Sequence, residues 1–132
     1  MGRQSKYRVH PRDLVLQTLK NSGKPLSAYT LLAELRPMGI KAPTIIYRAL
    51  DALIKEGAVH KINELSAYIA CDRTDDHNHS LSVLTVCHDC QKVDELHDDK
   101  VIHQLEALRG QGVRLSERAV IELSIICEAC NE

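Results

Sequence analysis

Two Cys-x-x-Cys pairs constrain the fold of this chain more than any other feature of its sequence. Cys87 and Cys90 form the first pair, and Cys127 and Cys130 form the second, close to residue 132. Each pair places two sulfurs on one tight turn, and four thiolates at these spacings are typical of a closed, tetrahedral structural zinc site. The pattern therefore predicts a zinc ion that ties the last residues to the segment around the first pair.

Disulfide bonds and free thiols are the alternatives to a zinc site. The basic stretch from Met1 to Arg12 lacks the apolar core of a signal segment, and no apolar run is long enough to span a membrane, so we expect a soluble, cytoplasmic protein. Thiols stay reduced in that compartment. A redox-active Cys-x-x-Cys usually occurs once, beside a βαβ pattern that this sequence lacks, so the spacing favours zinc.

Charge divides the chain into two halves. Hydrophobic residues make up 44% of the sequence and charged residues 27%, as in ordinary folded proteins, and the length allows one domain or two small ones. Residues 1–70 carry 11 Lys and Arg against 5 Asp and Glu, whereas residues 71–132 carry 6 against 13. A basic half followed by an acidic half that bears Cys and His indicates a polyanion-binding module joined to a metal-binding one.

The basic half contains the signals of three helices. Pro11 suits the first turn of a helix that ends at Gly23, and Ser27 is a good N-cap for a second helix. Pro43 opens a third helix that runs to Gly57.

The third predicted helix has two different faces. Its apolar stripe must face the core and consists of Ile46, Leu50, Leu53 and Ile54. The opposite face carries Thr44, Tyr47, Arg48, Asp51 and Lys55. This is the arrangement of a recognition helix whose amino-terminal residues meet the major groove of DNA.

Two short strands, residues 59–62 and 67–70, follow the third helix and predict a hairpin. Three helices and a hairpin make a winged helix-turn-helix domain, which we place at residues 1–70. A three-helix scaffold with a solvated basic face is the alternative, because helix-turn-helix periodicity alone is weak evidence.

Short strands and one helix alternate in the acidic half. Residues 81–86 and 93–96 predict strands around the first Cys pair, residues 101–108 form a helical stripe, and residues 121–125 alternate as a strand. The result is a small α+β unit with too few strands to be stable easily alone. Pairing with a second copy would complete its sheet and core, so we expect a homodimer braced by the zinc in each protomer.

Several segments together resemble the ferric uptake regulator superfamily, and within it the zinc uptake regulators, which are dimeric metal-dependent repressors. The matching segments are Ser27-Ala28-Tyr29, the run from Pro43 to Leu50, Gly57-x-Val59-His60-Lys61, and the two Cys-x-x-Cys pairs. They occur in the order and spacing of that family and cover most of the chain from about Pro11 onward.

We therefore expect an α+β protein with three parts. A winged helix-turn-helix DNA-binding domain occupies residues 1–70, and a hinge follows at residues 71–80. A small α/β dimerisation and metal-binding domain with the structural four-cysteine zinc site occupies residues 81–132.

The resemblance also implies a second, regulatory zinc site. In zinc uptake regulators the ligands are a histidine after the recognition helix, a cysteine at the hinge, a histidine shortly before the first Cys pair and a glutamate shortly after it. The matching positions hold His60, Cys71, His79 and Glu95. Two nitrogens, one sulfur and one oxygen suit zinc, whereas iron regulators resemble one another in using an oxygen ligand at the position of Cys71. The chain would then bind about two zinc ions, one structural and one regulatory.

Each regulatory ligand has an alternative role. His60 could contact phosphate or cap a strand, Cys71 could be a small buried hydrophobe, and His79 and Glu95 could be solvated. His77 would point to the same face of a strand as His79 and is its rival.

Other side chains compete for, or argue against, further metal binding. Asp94 and His97 are rivals of Glu95. Arg118 stands where many family members carry a histidine, and a cation cannot bind zinc, so the sequence argues against a complete third metal site.

The resemblance implies a zinc-dependent DNA-binding repressor of zinc-uptake genes, in which zinc at the hinge fixes the dimer in its operator-binding conformation. We expect base contacts from Tyr47 and Arg48, although a phosphate contact is as good a role for Arg48. Phosphate contacts are expected from Thr44, Tyr29 and the basic residues Lys6, Arg8 and Arg12.

Three other functions agree less well with the sequence. An iron- or peroxide-responsive regulator of the same family would keep the fold but use a regulatory site of nitrogen and oxygen ligands. The cysteine at position 71 argues against that alternative. A zinc-ribbon interaction protein would explain the four cysteines but not the basic half. An enzyme would need an open metal position and a general base, and the His-x-Glu signature of the zinc deaminases is absent. We thus expect operator DNA and a second copy as partners, with no membrane, no small-molecule substrate and no catalytic residue.

Overall fold

The computed structural model describes residues 9–71, 81–96, 99–114 and 119–131. The chain divides into two compact units, residues 1–70 and 71–132. Within the described ranges, every helix is too short or too polar to cross a membrane.

Three helices form the frame of the first unit. They are α1 (Pro11–Ser22), α2 (Ala28–Leu35) and α3 (Pro43–Lys55). Proline occupies the first position of α1 and α3, where its missing N–H has no intrahelical partner to lose. The hydroxyl of Ser27 accepts a hydrogen bond from the backbone N–H of Thr30 at 3.0 Å and caps α2 as predicted.

A two-stranded hairpin completes the first unit. Strands β1 (Val59–Ile62) and β2 (Ala67–Ala70) pair antiparallel, with Val59 opposite Ala70. Leu26 forms a further bridge to Tyr68, so the segment between α1 and α2 is joined to the edge of the hairpin.

The core of the first unit lies between the helices and the hairpin. Ile46, Leu50 and Leu53 of α3 are fully buried, and Ile54 packs against the same cluster, which confirms the apolar stripe. The other fully buried large side chains of this core are Val15, Leu19, Leu31 and Val59. Three helices around one core, followed by a hairpin, form the predicted winged helix-turn-helix.

The second unit is built on a three-stranded sheet. Its strands are β3 (Leu81–Cys87), β4 (Val93–Leu96) and β5 (Ala119–Ile125), in the order β4-β3-β5. Helix α4 (Asp99–Glu106) precedes a 3-10 turn at Ala107–Gln111. Strand β4 returns antiparallel to β3, whereas β5 is parallel to it. A parallel pair needs a crossover, and the segment that contains α4 provides it. This architecture confirms the predicted α+β class.

Candidate functional site

The four cysteines of the two Cys-x-x-Cys pairs form one cluster. Cys87 is the last residue of β3, and Cys127 lies two residues beyond β5, so the parallel pairing of these strands brings both motifs to the same end of the sheet. The four sulfur atoms lie within 4.8 Å of one another, and Cys90 Sγ is 3.7 Å from Cys127 Sγ. In a tetrahedral site with zinc–sulfur bonds of ordinary length, the sulfurs are separated by about 3.8 Å. The cluster therefore fits a zinc ion.

Backbone N–H groups point at one sulfur of this cluster. Cys87 Sγ accepts from the N–H of Cys127 at 3.3 Å and from the N–H of Cys90 at 3.5 Å. The turn that follows Cys87 is closed by the N–H of Gln91, which donates to the Cys87 carbonyl at 2.9 Å. Gln91 adopts φ 66°, a left-handed conformation that reverses the chain after the second cysteine of the pair.

The thiols of the cluster are not equivalent in acidity. Hydrogen bonds from the Cys127 and Cys90 backbone lower the pKa of Cys87 to about 6, because they stabilise its thiolate. Hydrogen bonding to the Cys127 sulfur raises the pKa of Cys130 to about 12. Cys87 is therefore the most acidic of these thiols, and a zinc ion bound by all four sulfurs would displace the remaining thiol protons into solvent. Four sulfur ligands close the coordination sphere and leave no open position for a substrate.

A second group of donors involves Cys71 and Glu95. Cys71 follows β2 directly and is buried, and its thiol donates to Glu95 Oε1 at 3.6 Å. Glu95 lies on β4, opposite Leu84 of β3. Its rival Asp94 is exposed on the same strand, and its Oδ2 is 3.8 Å from Lys92 Nζ. Of the two adjacent carboxylates, Glu95 is therefore the one beside the cysteine.

Of the two predicted histidine ligands, one lies in the part of the chain that the structure describes. His60 is buried on β1, where it lies opposite Ile69 of β2. The other predicted ligand, His79, falls outside the described residues, as do its rival His77, the alternative ligand His97 and Arg118.

The predicted DNA-binding side chains of α3 are exposed. Thr44 and Arg48 are open to solvent, and Tyr47 retains 50% of its accessible surface. Tyr29, at the second position of α2, is 84% exposed. Asp51 and Lys55 share the solvent side of α3. The recognition face predicted from the sequence is thus available to a partner.

Arg12 has partners within the first unit. Its Nε donates to Glu56 Oε2 at 2.7 Å, its Nη2 donates to Glu56 Oε1, and its Nη1 donates to Asp13 Oδ1 at 2.9 Å. Glu56 is 44 residues away from Arg12 and lies in no local motif, so this pair has no signal in the sequence. The other two basic residues proposed as phosphate contacts, Lys6 and Arg8, lie outside the described residues.

A winged helix-turn-helix unit followed by an α+β unit with a four-cysteine cluster defines a metal-binding member of the winged-helix proteins. The sequence profile of the Ferric uptake regulator family matches residues 4–123. The chain belongs to the ferric uptake regulator family.

Among its relatives, the chain is similar to the zinc uptake regulation protein of Escherichia coli strain K12. The two are 35% identical over 134 residues, which span 98% of this chain and 76% of the relative. The resemblance to zinc uptake regulators is thereby confirmed.

Solved structures agree with this likeness. The zinc uptake regulator complexed with zinc and DNA is 32% identical, with a TM-score of 0.79 over 92% of this chain and 81% of that one. The holo form of XcZur is 33% identical, with a TM-score of 0.78 over 93% of this chain and 85% of that one. The Helicobacter pylori ferric uptake regulator, at 20% identity and a TM-score of 0.62, shares the fold.

Proposed function

We propose that this chain is a zinc-dependent DNA-binding repressor of zinc-uptake genes. The observation that carries the proposal is the clustering of four sulfurs in a chain that is 35% identical, over 98% of its length, to a zinc uptake regulation protein. The closed sulfur set argues for a structural rather than a catalytic metal, because catalysis needs an open coordination position.

The first zinc site in this proposal consists of Cys87, Cys90, Cys127 and Cys130. Zinc bound there supplies a cross-link between the turn after β3 and the segment after β5. The protein's own contribution is the pair of backbone N–H groups that hold the Cys87 sulfur in place. These contacts orient one ligand before the metal arrives.

The second, regulatory site consists of His60, Cys71, His79 and Glu95. It is supported by the contact between the Cys71 thiol and Glu95, by the burial of Cys71, and by a donor set of two nitrogens, one sulfur and one oxygen that suits zinc. Cys71 is the first residue after the winged helix-turn-helix unit. A ligand at that position couples metal binding to the orientation of the DNA-binding domain, and the chain then holds about two zinc ions.

DNA recognition is assigned to the solvent side of α3. Tyr47 and Arg48 lie in its amino-terminal half and are exposed, which supports contacts to base edges in the major groove. Thr44 and Tyr29, at the starts of α3 and α2, are placed to contact phosphates.

A homodimer is part of the proposal. The second unit exposes several large apolar side chains, and the described part of its sheet has three strands. The exposed apolar residues are Val101, Leu108, Val113, Val120, Leu123 and Ile126. A second copy would cover them and extend the sheet.

The proposal is tested by selecting duplexes from a randomised pool with the zinc-loaded protein and measuring affinity for the selected duplex against free zinc. Binding should require zinc, and iron(II) at the same free concentration should not replace it. Binding that follows iron(II) instead would support the iron-responsive alternative, and recovery of no sequence would contradict DNA recognition.

A further inference from the structure

The Arg12–Glu56 ion pair joins the beginning of one helix to the end of another. Arg12 is the second residue of α1, and Glu56 is the C-cap of α3. The guanidinium meets the carboxylate through two nitrogens, Nε and Nη2, each bonded to a different carboxylate oxygen. A bidentate pair of this kind fixes the relative orientation of the guanidinium and the carboxylate as well as the distance between them. The hydrogen bonds to Glu56 also raise the pKa of Arg12.

Each residue of the pair makes a further hydrogen bond within its own helix. The N–H of Glu56 donates to the Ala52 carbonyl at 3.1 Å, and Arg12 Nη1 donates to Asp13. The pair also brings a cation to the carboxyl end of α3, where the helix dipole favours positive charge. The two helices also share a core, since Val15 of α1 and Leu53 of α3 belong to the same cluster.

The hydrogen bonds of Arg12 make it a poor phosphate contact. Glu56 and Asp13 accept hydrogen bonds from Nε, Nη2 and Nη1 of Arg12, so three of its donors are already engaged. A DNA phosphate would have to compete with these carboxylates for the same guanidinium. This is a different role from the phosphate contact that the sequence suggests.

We propose that Arg12 is a positioning residue for DNA recognition, which acts through Glu56 to fix the tilt of α3. Arg48 lies eight residues before Glu56, about 12 Å along the helix axis. A tilt of about 5° over that length moves the side chain at the other end by about 1 Å, enough to spoil a hydrogen bond to a base. The proposal rests on α3 being the recognition helix.

The test compares Arg12→Gln, Glu56→Gln, the double variant and the charge reversal R12E/E56R, with Lys20→Gln as the control. Lys20 is an exposed cation in the last turn of α1, so this control removes the same charge from the same helix. Zinc-loaded proteins are titrated with the selected duplex and with a scrambled duplex at several salt concentrations.

Each single variant should weaken binding to the selected duplex roughly two- to fivefold, the range that exposed ion pairs allow. Binding to the scrambled duplex and the salt dependence should stay at parent values. The double variant should be no worse than either single variant, the reversal should recover affinity, and the control should match the parent.

A phosphate contact predicts different outcomes and would overturn the proposal. Arg12→Gln would then weaken both duplexes equally and reduce the salt slope by about 1. Glu56→Gln would strengthen binding to both, because it removes a carboxylate beside the DNA backbone. No effect of either substitution would also refute the positioning role.

A measurement without DNA separates this inference from the proposed function. Amide hydrogen exchange at the carboxyl end of α3 should be faster in Arg12→Gln and Glu56→Gln than in the parent, and unchanged in Lys20→Gln. Unchanged exchange in both would sink the inference even if the protein binds DNA. A parent that selects no duplex would instead contradict the proposed function, and with it the role in recognition, whatever the exchange shows.

Discussion

Gly23 ends α1 through its backbone conformation. It adopts φ 67°, and its N–H donates to the Leu19 carbonyl at 3.3 Å. A Cβ built at this position would meet no atom within 4 Å. Any penalty for a side chain here must therefore come from the left-handed backbone and not from a clash.

The Gly23→Ala substitution should lower the free energy of unfolding by about 1 kcal/mol, because alanine is strained at positive φ. Asparagine tolerates this conformation, so Gly23→Asn should cost clearly less. Urea denaturation of both variants checks this prediction. An equal loss in the two would show that the backbone angle is not the cause.

The cysteines and Glu95, which are the proposed sulfur and oxygen ligands, show what residue identity can predict. The spacing of the four cysteines is enough to predict their cluster. The two sulfurs of each pair are close in sequence, so the fold has only to bring one pair next to the other. The Cys71–Glu95 contact is expected only through family resemblance, since 24 residues separate the two side chains. The Arg12–Glu56 pair has no local signal at all, and only the packing of α1 on α3 creates it.

At the scale of elements, α3 is the clearest case of sequence dictating structure. Its apolar positions recur with the period of a helix, so one face is buried with Ile46, Leu50 and Leu53 and the other is left to solvent. The hairpin of β1 and β2 is equally local and has the predicted bounds.

The Arg48→Ala substitution tests the function of the exposed face. If Arg48 reads a base, the variant should lose about 1–3 kcal/mol of binding to the selected duplex and relax the preference at one base position. Thr44→Ala, which removes a proposed phosphate contact, should instead weaken selected and scrambled duplexes alike. Competition titrations with single-base variants of the duplex measure both effects. An equal loss on all duplexes for Arg48→Ala would reassign it to the phosphate backbone.

The sheet of the second unit is an element that the sequence predicted only in part. The strands themselves are marked by short apolar runs, but nothing local distinguishes a parallel from an antiparallel β5. The parallel register that places Cys87 opposite Ile125 depends on the crossover through α4. That register is also what delivers the second Cys pair to the first.

At the scale of the whole molecule, the chain combines two units with different tasks. The winged helix-turn-helix exposes α3, the proposed recognition helix, and the second unit carries the four-sulfur cluster and exposed apolar side chains. In the proposal, metal binding at the regulatory site controls the DNA-binding activity of the whole chain. Cys71 is central to that proposal because it supplies the sulfur that favours zinc.

The most direct test of this account is metal content and zinc-dependent DNA binding measured together on the parent, Cys71→Ser and the control Cys87→Ser. The parent should hold about two zinc ions per chain. Cys71→Ser should keep the structural zinc and the dimer but lose the zinc response of DNA binding, whereas Cys87→Ser should lose the structural zinc and fold poorly. An unchanged zinc response in Cys71→Ser would contradict the regulatory site.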